Sequence, residues 1–281
     1  MTLRACLTFD VDGQFLWLGT FGTRGLQGLS RGEYEVRVGL DRVLGLLAEK
    51  KVVATFFVPG QFAETYPQAV KEIAQAGHDV GAHGYRHERW AELSPAAEDE
   101  AVRRSKAALE DCLGHPVRGF RAPGFELNPG SVRLLVGAGF AYDSSLMADD
   151  FRPYRLRYED RVPDLGPLVF GELSPLAEFP VSWELDDFPY FAHTARNPGL
   201  RATEEVLGLW LEEFRFATSL PDAVYTLTLH PQVIGRGPRI RMLAELIDRI
   251  TETDQVVFST LAGSLDSLTA AFEQAASDHR L

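Results

Sequence analysis

The sequence predicts an α/β protein that folds as a single distorted (β/α) barrel of seven or eight strands, forming one domain over residues 1–281. Two observations predict this class. Short apolar stretches alternate with helical patterns along the chain, and 281 residues with a hydrophobic fraction of 45% suffice for one full barrel core. A doubly wound open sheet is the competing architecture, but no Gly-x-Gly-x-x-Gly turn follows the first strand, which favours the barrel.

The first half of the chain alternates strands and helices in regular order. The apolar stretch from Leu3 to Phe9 has the length and composition of a buried strand. Ser94 and Pro95 fit the N-cap and first position of a helix, and Gly77 fits the end of an earlier one. Helices are expected over residues 36–51, 62–76, 94–113 and 128–136. Further strands are expected over residues 52–58, 78–83, 117–121 and 140–144.

The second half begins with residues 147–174, which show no clean period and contain several prolines. Strands are then expected over residues 177–183, 223–230 and 256–259, and helices over residues 203–218, 238–253 and 261–276. Earlier in the chain, the glycine-rich residues 14–33 carry Phe15, Trp17 and Phe21. This stretch is expected to be either a mobile lid or a surface loop that packs on a neighbour.

Composition excludes some partners and suggests a cellular compartment. The net charge of −12 argues against a nucleic-acid surface, which needs clustered Lys and Arg. No apolar stretch approaches the length of a membrane-spanning helix, so no membrane partner is expected. Only Cys6 and Cys112 are present, and no room for a signal peptide precedes the first strand. A reducing, cytoplasmic location is therefore predicted.

Candidate metal ligands follow the first and third strands. Asp10 and Asp12 lie two apart on an extended chain, so both carboxylates point the same way and would repel unless they share a cation or a proton. His83 and His87 lie four apart, and on one helical turn both imidazoles could bind one divalent cation. Each pair also has a simpler interpretation, as solvated acids that cap a turn or as surface histidines on a polar loop.

Two more polar residues come at the ends of predicted strands. Arg121 ends the fourth strand, and His230 ends the apolar stretch that begins at Ala223. Alone, Arg121 could form a rim salt bridge and His230 could be a capped core imidazole. In a barrel, however, the loops after all strands meet at one rim, so these residues and those of the first and third strands are expected to converge.

Together these motifs resemble those of the polysaccharide deacetylase (NodB-homology) family, over about residues 3–231. The matching segments, in chain order, are Thr8-Phe9-Asp10-x-Asp12, His83-x-x-x-His87, Arg121-Ala122-Pro123, Tyr142-Asp143-Ser144-Ser145 and Leu229-His230. The resemblance implies a distorted (β/α) barrel. It also implies that a divalent metal, zinc first among the candidates, binds to Asp12, His83 and His87.

The same resemblance implies roles for four other residues. Asp10 would be the general base, with Arg121 holding it in place. His230 would be the general acid, and Asp143 would orient His230. Such a site hydrolyses a carbon–nitrogen amide bond, because a base activates water while an acid protonates the leaving nitrogen.

Two departures from the family pattern bear on the substrate. Val11 separates the aspartates that are usually adjacent, and residues 146–150 lack the usual aromatic residue. The segments around Trp17 and residues 183–190 instead resemble the branch that contains cyclic imide hydrolases, metal-independent allantoinases and peptidoglycan-deacetylase-like proteins. In that branch the substrate pocket would be shaped by Trp17, Trp183, Asp186, Asp187 and Phe188. The later segment could equally be an acidic, aromatic loop that packs on a partner subunit.

The sequence thus predicts a metal-dependent hydrolase of a small N-acyl or cyclic amide or imide. One alternative is a deacetylase of N-acetylated sugars or peptidoglycan, and another is a non-catalytic carbohydrate-binding barrel. A site that works without metal is a further option, but the complete ligand set of Asp12, His83 and His87 disfavours it. Related imide hydrolases tend to be oligomeric, so a homo-oligomer is also expected.

Overall fold

The computed structural model describes residues 2–194 and 197–268. Within them, a single sheet contains all nine strands. The strands are β1 (Leu3–Asp10), β2 (Thr55–Val58), β3 (Asp79–Ala82), β4 (Gly119–Phe120), β5 (Tyr142–Asp143), β6 (Tyr154–Arg157), β7 (Leu173–Glu178), β8 (Val224–Leu229) and β9 (Val256–Phe258).

The sheet curls into a distorted (β/α) barrel, which confirms the predicted fold class. Its order is β6-β7-β5-β4-β3-β2-β1-β8, with β9 pairing the start of β1, and every pairing is parallel except that of β6 with β7. A parallel bridge from Asp186 to Thr228 brings the chain after β7 alongside β8. The carboxyl ends of the parallel strands therefore meet at one rim.

The helices surround this sheet. They are α1 (Leu26–Tyr34), α2 (Leu40–Lys50), α3 (Gly60–Thr65), α4 (Pro67–Gln75), α5 (Pro95–Leu113), α6 (Ser131–Gly137), α7 (Asp187–Phe191), α8 (Thr203–Thr218), α9 (Pro231–Ile234) and α10 (Pro238–Thr251). Residues 261–268 are also helical, and the rest of the predicted helix 261–276 lies outside the described residues. No described helix is both long and apolar enough to span a membrane.

Local sequence signals account for several helix boundaries. Ser94 caps α5 as predicted, because its Oγ accepts a hydrogen bond from the Ala97 amide at 3.3 Å. The helix predicted over residues 62–76 is instead divided into α3 and α4. Tyr66 has a non-helical φ of −128°, since the residue before Pro67 is disfavoured in the helical conformation.

The glycine-rich stretch 14–33 is mostly helical rather than a loop. A π-helical turn spans Leu16–Thr20, α1 follows, and a second π-helical turn at Glu35–Gly39 joins α1 to α2. The structure also buries Phe15 and leaves Phe21 39% exposed. The apolar pattern predicted a helix only from residue 36 because the glycines before it interrupt the periodicity.

The irregular residues 147–174 contribute an antiparallel edge to the barrel. Here β6 pairs with β7, and an isolated bridge joins Arg161 to Val169 beyond it. Within this hairpin, Val162 is 75% exposed and Leu165 is 92% exposed. Strand β7 begins at Leu173, earlier than the predicted start at residue 177, because pairing with β6 extends it.

Candidate active site

The predicted site residues converge at the carboxyl-terminal rim of the barrel. Asp10 is the last residue of β1, His83 follows β3, Arg121 follows β4 and His230 follows β8. Asp12 lies in the turn after β1. All of these side chains are buried. The barrel topology thus brings together residues that are far apart in the sequence.

Asp12, His83 and His87 form a candidate divalent metal site. Asp12 Oδ1 lies 3.5 Å from His83 Nε2 and 3.4 Å from His87 Nε2. Each of the three residues offers one possible ligand atom, an imidazole nitrogen or a carboxylate oxygen, and these three atoms lie within 4.8 Å of one another. Within the described part of the chain, neither carboxylate oxygen of Asp12 has a hydrogen-bond partner, although the side chain is fully buried. A buried carboxylate without partners is costly, and a bound cation would offset that cost.

Both imidazoles are held with Nε2 facing Asp12. His83 Nδ1 donates to the Arg121 carbonyl at 2.8 Å. Thr20 Oγ1 donates to the His87 carbonyl at 2.9 Å, and is therefore left to accept from His87 Nδ1 at 2.6 Å. Burial lowers the pKa of His83 to about 4, against the opposing effect of Asp10. A neutral imidazole with a protonated Nδ1 presents its Nε2 lone pair, as metal binding requires.

The segment between the two histidines is a tight turn after β3 and not part of a helix. His87 has a left-handed φ of 56°, a conformation that non-glycine residues rarely adopt. The Glu88 carboxylate accepts hydrogen bonds from the Tyr85 amide at 3.1 Å and the Arg86 amide at 2.8 Å. These contacts hold the turn in the shape that directs His87 back to Asp12.

Arg121 anchors Asp10 as predicted from the sequence. Arg121 Nη1 donates to Asp10 Oδ1 and to Thr8 Oγ1, each at 2.8 Å, while Nε and Nη2 donate to the carbonyl and hydroxyl of Ser144. Burial alone would raise the pKa of Asp10, but the charges of Arg121 and His230 hold it below its ordinary value. Asp10 is therefore ionised at neutral pH.

The structure assigns the partner of His230 to Asp187 and not to Asp143. His230 Nδ1 pairs with Asp187 Oδ1 at 2.7 Å, and the His230 amide donates to Asp187 Oδ2 at 3.1 Å. Burial alone would lower the pKa of His230, but Asp187 and Asp186 raise it well above its ordinary value. His230 Nε2 faces the metal-ligand cluster, 3.8 Å from Asp12 Oδ2 and 4.0 Å from Asp10 Oδ2.

Asp143 instead belongs to a carboxyl pair beneath Arg121. It accepts a hydrogen bond from Ser145 Oγ at 2.9 Å and is paired with Glu178. Burial raises the pKa of Asp143 to about 6, and burial and the charge of Asp143 raise the pKa of Glu178 well above its ordinary value. Glu178 Oε1 accepts hydrogen bonds from the Ser145 and Leu146 amides, each at 2.8 Å. These bonds hold the chain next to Ser144, whose carbonyl and hydroxyl accept from Arg121.

A cavity of about 150 Å³ opens at this cluster. It is lined by Asp10, Leu16, Thr20, Phe21, His83, His87, Gly124, Phe125, Trp183, Asp186, Phe188 and His230. Trp183 is 47% exposed at the cavity and packs on Phe125 with a ring separation of 4.9 Å. Burial raises the pKa of Asp186 to about 7, so this carboxyl can accept or donate a hydrogen bond near neutral pH.

Two of the predicted substrate-binding residues do not line the cavity. Trp17 is 5% exposed, and its Nε1 donates to Gln232 Oε1 at 3.1 Å. Asp187 is fully buried behind His230. Residues next to them in the sequence line the cavity instead. The π-helical turn at residues 16–20 directs Leu16 and Thr20 toward the metal ligands, and Asp186 and Phe188 line the cavity on either side of Asp187 in the sequence.

Sequence reasoning missed Thr20 and Phe125, which both line the cavity. Thr20 lies 67 positions from His87, so no local spacing connects them. Phe125 follows the Arg121-Ala122-Pro123 motif, and Gly124 at a φ of 68° makes the sharp turn that precedes it. The Pro-Gly pair was therefore a usable signal for this turn.

Comparisons with known proteins identify a family for this chain. A family model described as "Polysaccharide deacetylase" matches residues 32–142. A peptidoglycan deacetylase from Helicobacter pylori is 32% identical over 266 residues, which cover 89% of this chain and 91% of that protein. A solved structure from Mycobacterium smegmatis, named for the polysaccharide deacetylases, is 33% identical with a TM-score of 0.83, covering 96% of this chain and 91% of that one.

A solved allantoinase structure shares the fold at 21% identity, with a TM-score of 0.78 over 95% of this chain and 90% of that one. Members of the matched family are hydrolases that act on carbon–nitrogen bonds other than peptide bonds. On the strength of the full-length similarity to the Helicobacter pylori protein, the chain belongs to the polysaccharide deacetylase family.

Proposed function

We propose that this enzyme is a metal-dependent hydrolase that cleaves the amide bond of a small N-acyl or cyclic amide or imide substrate. One observation carries the proposal: the fully buried Asp12 carboxylate, with both oxygens unpartnered among the described residues, faces the Nε2 atoms of His83 and His87. Three donors on one side leave other coordination positions open, as is typical of catalytic sites.

The donor set favours zinc. Two imidazole nitrogens and one carboxylate are ligands that Zn²⁺ takes at catalytic centres, whereas Mg²⁺ and Ca²⁺ prefer oxygen ligands. When bound, such an ion makes a coordinated water more acidic and polarises an acyl oxygen. Asp12, His83 and His87 would hold it.

Asp10 is proposed as the base that removes a proton from the attacking water. Its hydrogen bond to Arg121 at 2.8 Å keeps it ionised and fixes its orientation. Asp10 Oδ2 lies 3.7 Å from His83 Nε2, and therefore beside the proposed metal. A base at this position can accept the proton as the new carbon–oxygen bond forms.

His230 is proposed as the acid that protonates the leaving nitrogen. Its pairing with Asp187 favours the imidazolium form and holds Nδ1, so that Nε2 faces the cavity. Proton donation to nitrogen is necessary because an unprotonated amide nitrogen is a poor leaving group. Asp187 therefore takes the positioning role that the family resemblance suggested for Asp143.

The size of the cavity supports a small substrate. Pockets that bury drug-sized ligands measure about 300–1,000 Å³, whereas this cavity is about 150 Å³. Trp183 and Phe188 would contact the apolar part of the substrate, and Asp186 would bind one of its polar groups. The similarity to peptidoglycan deacetylases favours a second candidate, deacetylation of N-acetylated sugars, with the sugar lying along Trp183.

Paired assays separate the two candidates. Zinc-loaded protein would be incubated with dihydropyrimidine-like cyclic imides and, in parallel, with N-acetylglucosamine oligomers and peptidoglycan fragments. We expect ring opening of the imides, lost in His83→Ala. Acetate release from the oligomers alone would reverse the ranking. A protein that binds no zinc, and whose binding of sugar is unaffected by His83→Ala, would support the non-catalytic barrel instead.

The single-domain organisation, cytoplasmic location and homo-oligomeric assembly predicted from the sequence remain part of this proposal. Limited proteolysis, cell fractionation and light scattering, respectively, would test them. The exposed apolar hairpin at Val162 and Leu165 is a surface that assembly could cover.

A further inference from the structure

A buried glutamate joins two turns of the active site. Glu35 begins the π-helical turn between α1 and α2, and its side chain is fully buried. Glu35 Oε1 accepts a hydrogen bond from the Gly13 amide at 2.7 Å, and Oε2 accepts one from the Gln232 amide at 3.3 Å. A single carboxylate therefore bridges two backbone segments that are 219 positions apart.

Each of these segments carries a residue of the proposed chemistry. Gly13 directly follows Asp12, and Gln232 is the second residue after His230. Gly13 has a left-handed φ of 53°, and a Cβ built there would lie 3.0 Å from the Phe62 ring. The Asp12 turn is therefore confined on one side by Phe62 and held on the other by Glu35.

Helix packing places Glu35 between the two turns. A Cβ on Gly32 would lie 2.3 Å from the Gly13 carbonyl oxygen, and one on Gly39 would lie 2.3 Å from the Pro231 carbonyl oxygen. Glycines on either side of Glu35 thus let the helix backbone touch the backbone of both turns. An irregular π-helical turn at such a position is common at functional sites.

Packing alone does not explain a carboxylate here. Burial and the nearby charge of Asp12 raise the pKa of Glu35 well above its ordinary value, so the ionised form is costly at this position. An apolar residue would fill the same space without that cost, but it would leave two buried amide groups without acceptors. What the carboxylate supplies is a pair of acceptors aimed at both turns.

We propose that Glu35 is a positioning residue that sets the placement of Asp12 relative to His230 through the backbone amides of Gly13 and Gln232. This inference rests on the proposed function in one respect, because it requires that Asp12 binds a metal ion. Metal binding at Asp12 and proton donation by His230 would therefore both depend on the side chain of Glu35.

The test compares Glu35→Gln with Asp79→Asn. The glutamine keeps one acceptor oxygen but turns an amide donor toward the other backbone amide. Asp79 offers a matched control, because its carboxylate accepts hydrogen bonds from Tyr142 Oη at 2.5 Å and Thr55 Oγ1 at 3.3 Å at the opposite end of β3 from His83. Both substitutions exchange a carboxylate that accepts two hydrogen bonds for an amide, at a fully buried position for Glu35 and a half-buried one for Asp79.

Zinc affinity would be measured by competition with a chromophoric chelator, and ligand geometry by the visible spectrum of the Co²⁺ form. Urea unfolding of the metal-free variants would measure stability. We expect Glu35→Gln to weaken zinc binding by about 10- to 100-fold, the range for residues that orient metal ligands, and to alter the Co²⁺ spectrum. Asp79→Asn should lower stability while leaving both metal readouts near wild type.

Glu35→Asp covers the case in which Glu35→Gln does not fold. Its shorter side chain keeps the carboxyl group but reaches only one turn, so an intermediate loss of zinc affinity is expected. Wild-type affinity in the folded Glu35 variants, or a loss equal to that of Asp79→Asn, would overturn the inference alone. A wild-type protein without zinc affinity would overturn the proposed function as well.

Discussion

Asp187 and Asp143 show how one hydrogen bond distinguishes a residue that positions the acid from one that supports the fold. Both are fully buried aspartates close to the rim of the barrel. Only Asp187 pairs with the His230 imidazole, at 2.7 Å, whereas Asp143 is paired with Glu178 and Ser145. A substitution at either position should therefore have a different signature.

We expect Asp187→Asn to lower kcat by about 100- to 10,000-fold, the usual contribution of a general acid. Asp187 raises the pKa of His230. Without it His230 loses its proton at lower pH, so the alkaline limb of the activity profile should move to lower pH. Rate profiles of wild type and variant over a common pH range would measure this shift. A shift in Asp143→Asn and none in Asp187→Asn would contradict the assignment.

Thr20 is predicted to matter for metal binding although it contacts no metal ion. Its hydroxyl accepts from His87 Nδ1 at 2.6 Å and so holds the tautomer that presents Nε2. Thr20→Val should weaken zinc binding by about 10-fold, measured by chelator competition. Thr20→Ser keeps the hydroxyl and should stay close to wild type. Equal affinities for the valine and serine variants would argue against this role.

At the scale of the element, α1 and α2 connect the metal-binding turn to the turn after His230. Glycines allow this approach, because any side chain at Gly32 or Gly39 would overlap a backbone carbonyl of the site. The stretch that reads as a loop in sequence is therefore a packed structural support. Its glycines lower helix propensity, and contact with the rest of the barrel compensates for that loss.

Two alanine substitutions test this view of α1 and α2. A Cβ at Gly32 would lie 2.3 Å from the Gly13 carbonyl oxygen, whereas a Cβ at Gly45 would have no atom within 4 Å. Gly32→Ala should destabilise the protein by about 1–3 kcal/mol through overpacking. Gly45→Ala should stabilise it by about 0.5–1 kcal/mol through helix propensity. Urea unfolding midpoints of the metal-free proteins would measure both, and a neutral Gly32→Ala would refute the close contact.

At the scale of the whole molecule, ligands from two separate loops should make metal binding stabilise the barrel. Asp12 follows β1 and the histidines follow β3, so the bound ion would cross-link the loops after two strands that lie on either side of β2. At zinc concentrations about 100 times the Kd, the free energy of unfolding should rise by about 2.7 kcal/mol. Thermal unfolding with and without chelator would show it. The same rise in His83→Ala would place the zinc elsewhere.

Part of the site was predictable from the local sequence pattern of polar residues at the ends of apolar strands. Asp10, His83, Arg121 and His230 each stand at the end of an apolar strand, and barrel geometry brings such ends to one rim. The cavity residues Trp183, Asp186 and Phe188 were likewise predictable from one short segment. Strand boundaries were less predictable, because pairing with neighbours decides how far each short strand extends.

The sequence by itself determined the barrel, the place of Asp12, His83 and His87 on it, and the membership of a hydrolase family, because these depend on periodicity and on motifs of a few residues. Only the tertiary structure decided that Asp187 and not Asp143 holds His230, that Trp17 turns away from the cavity, and that Glu35 joins two turns. These contacts link residues that loop packing brings together across the chain. Their energies depend on burial and orientation, which no local spacing encodes.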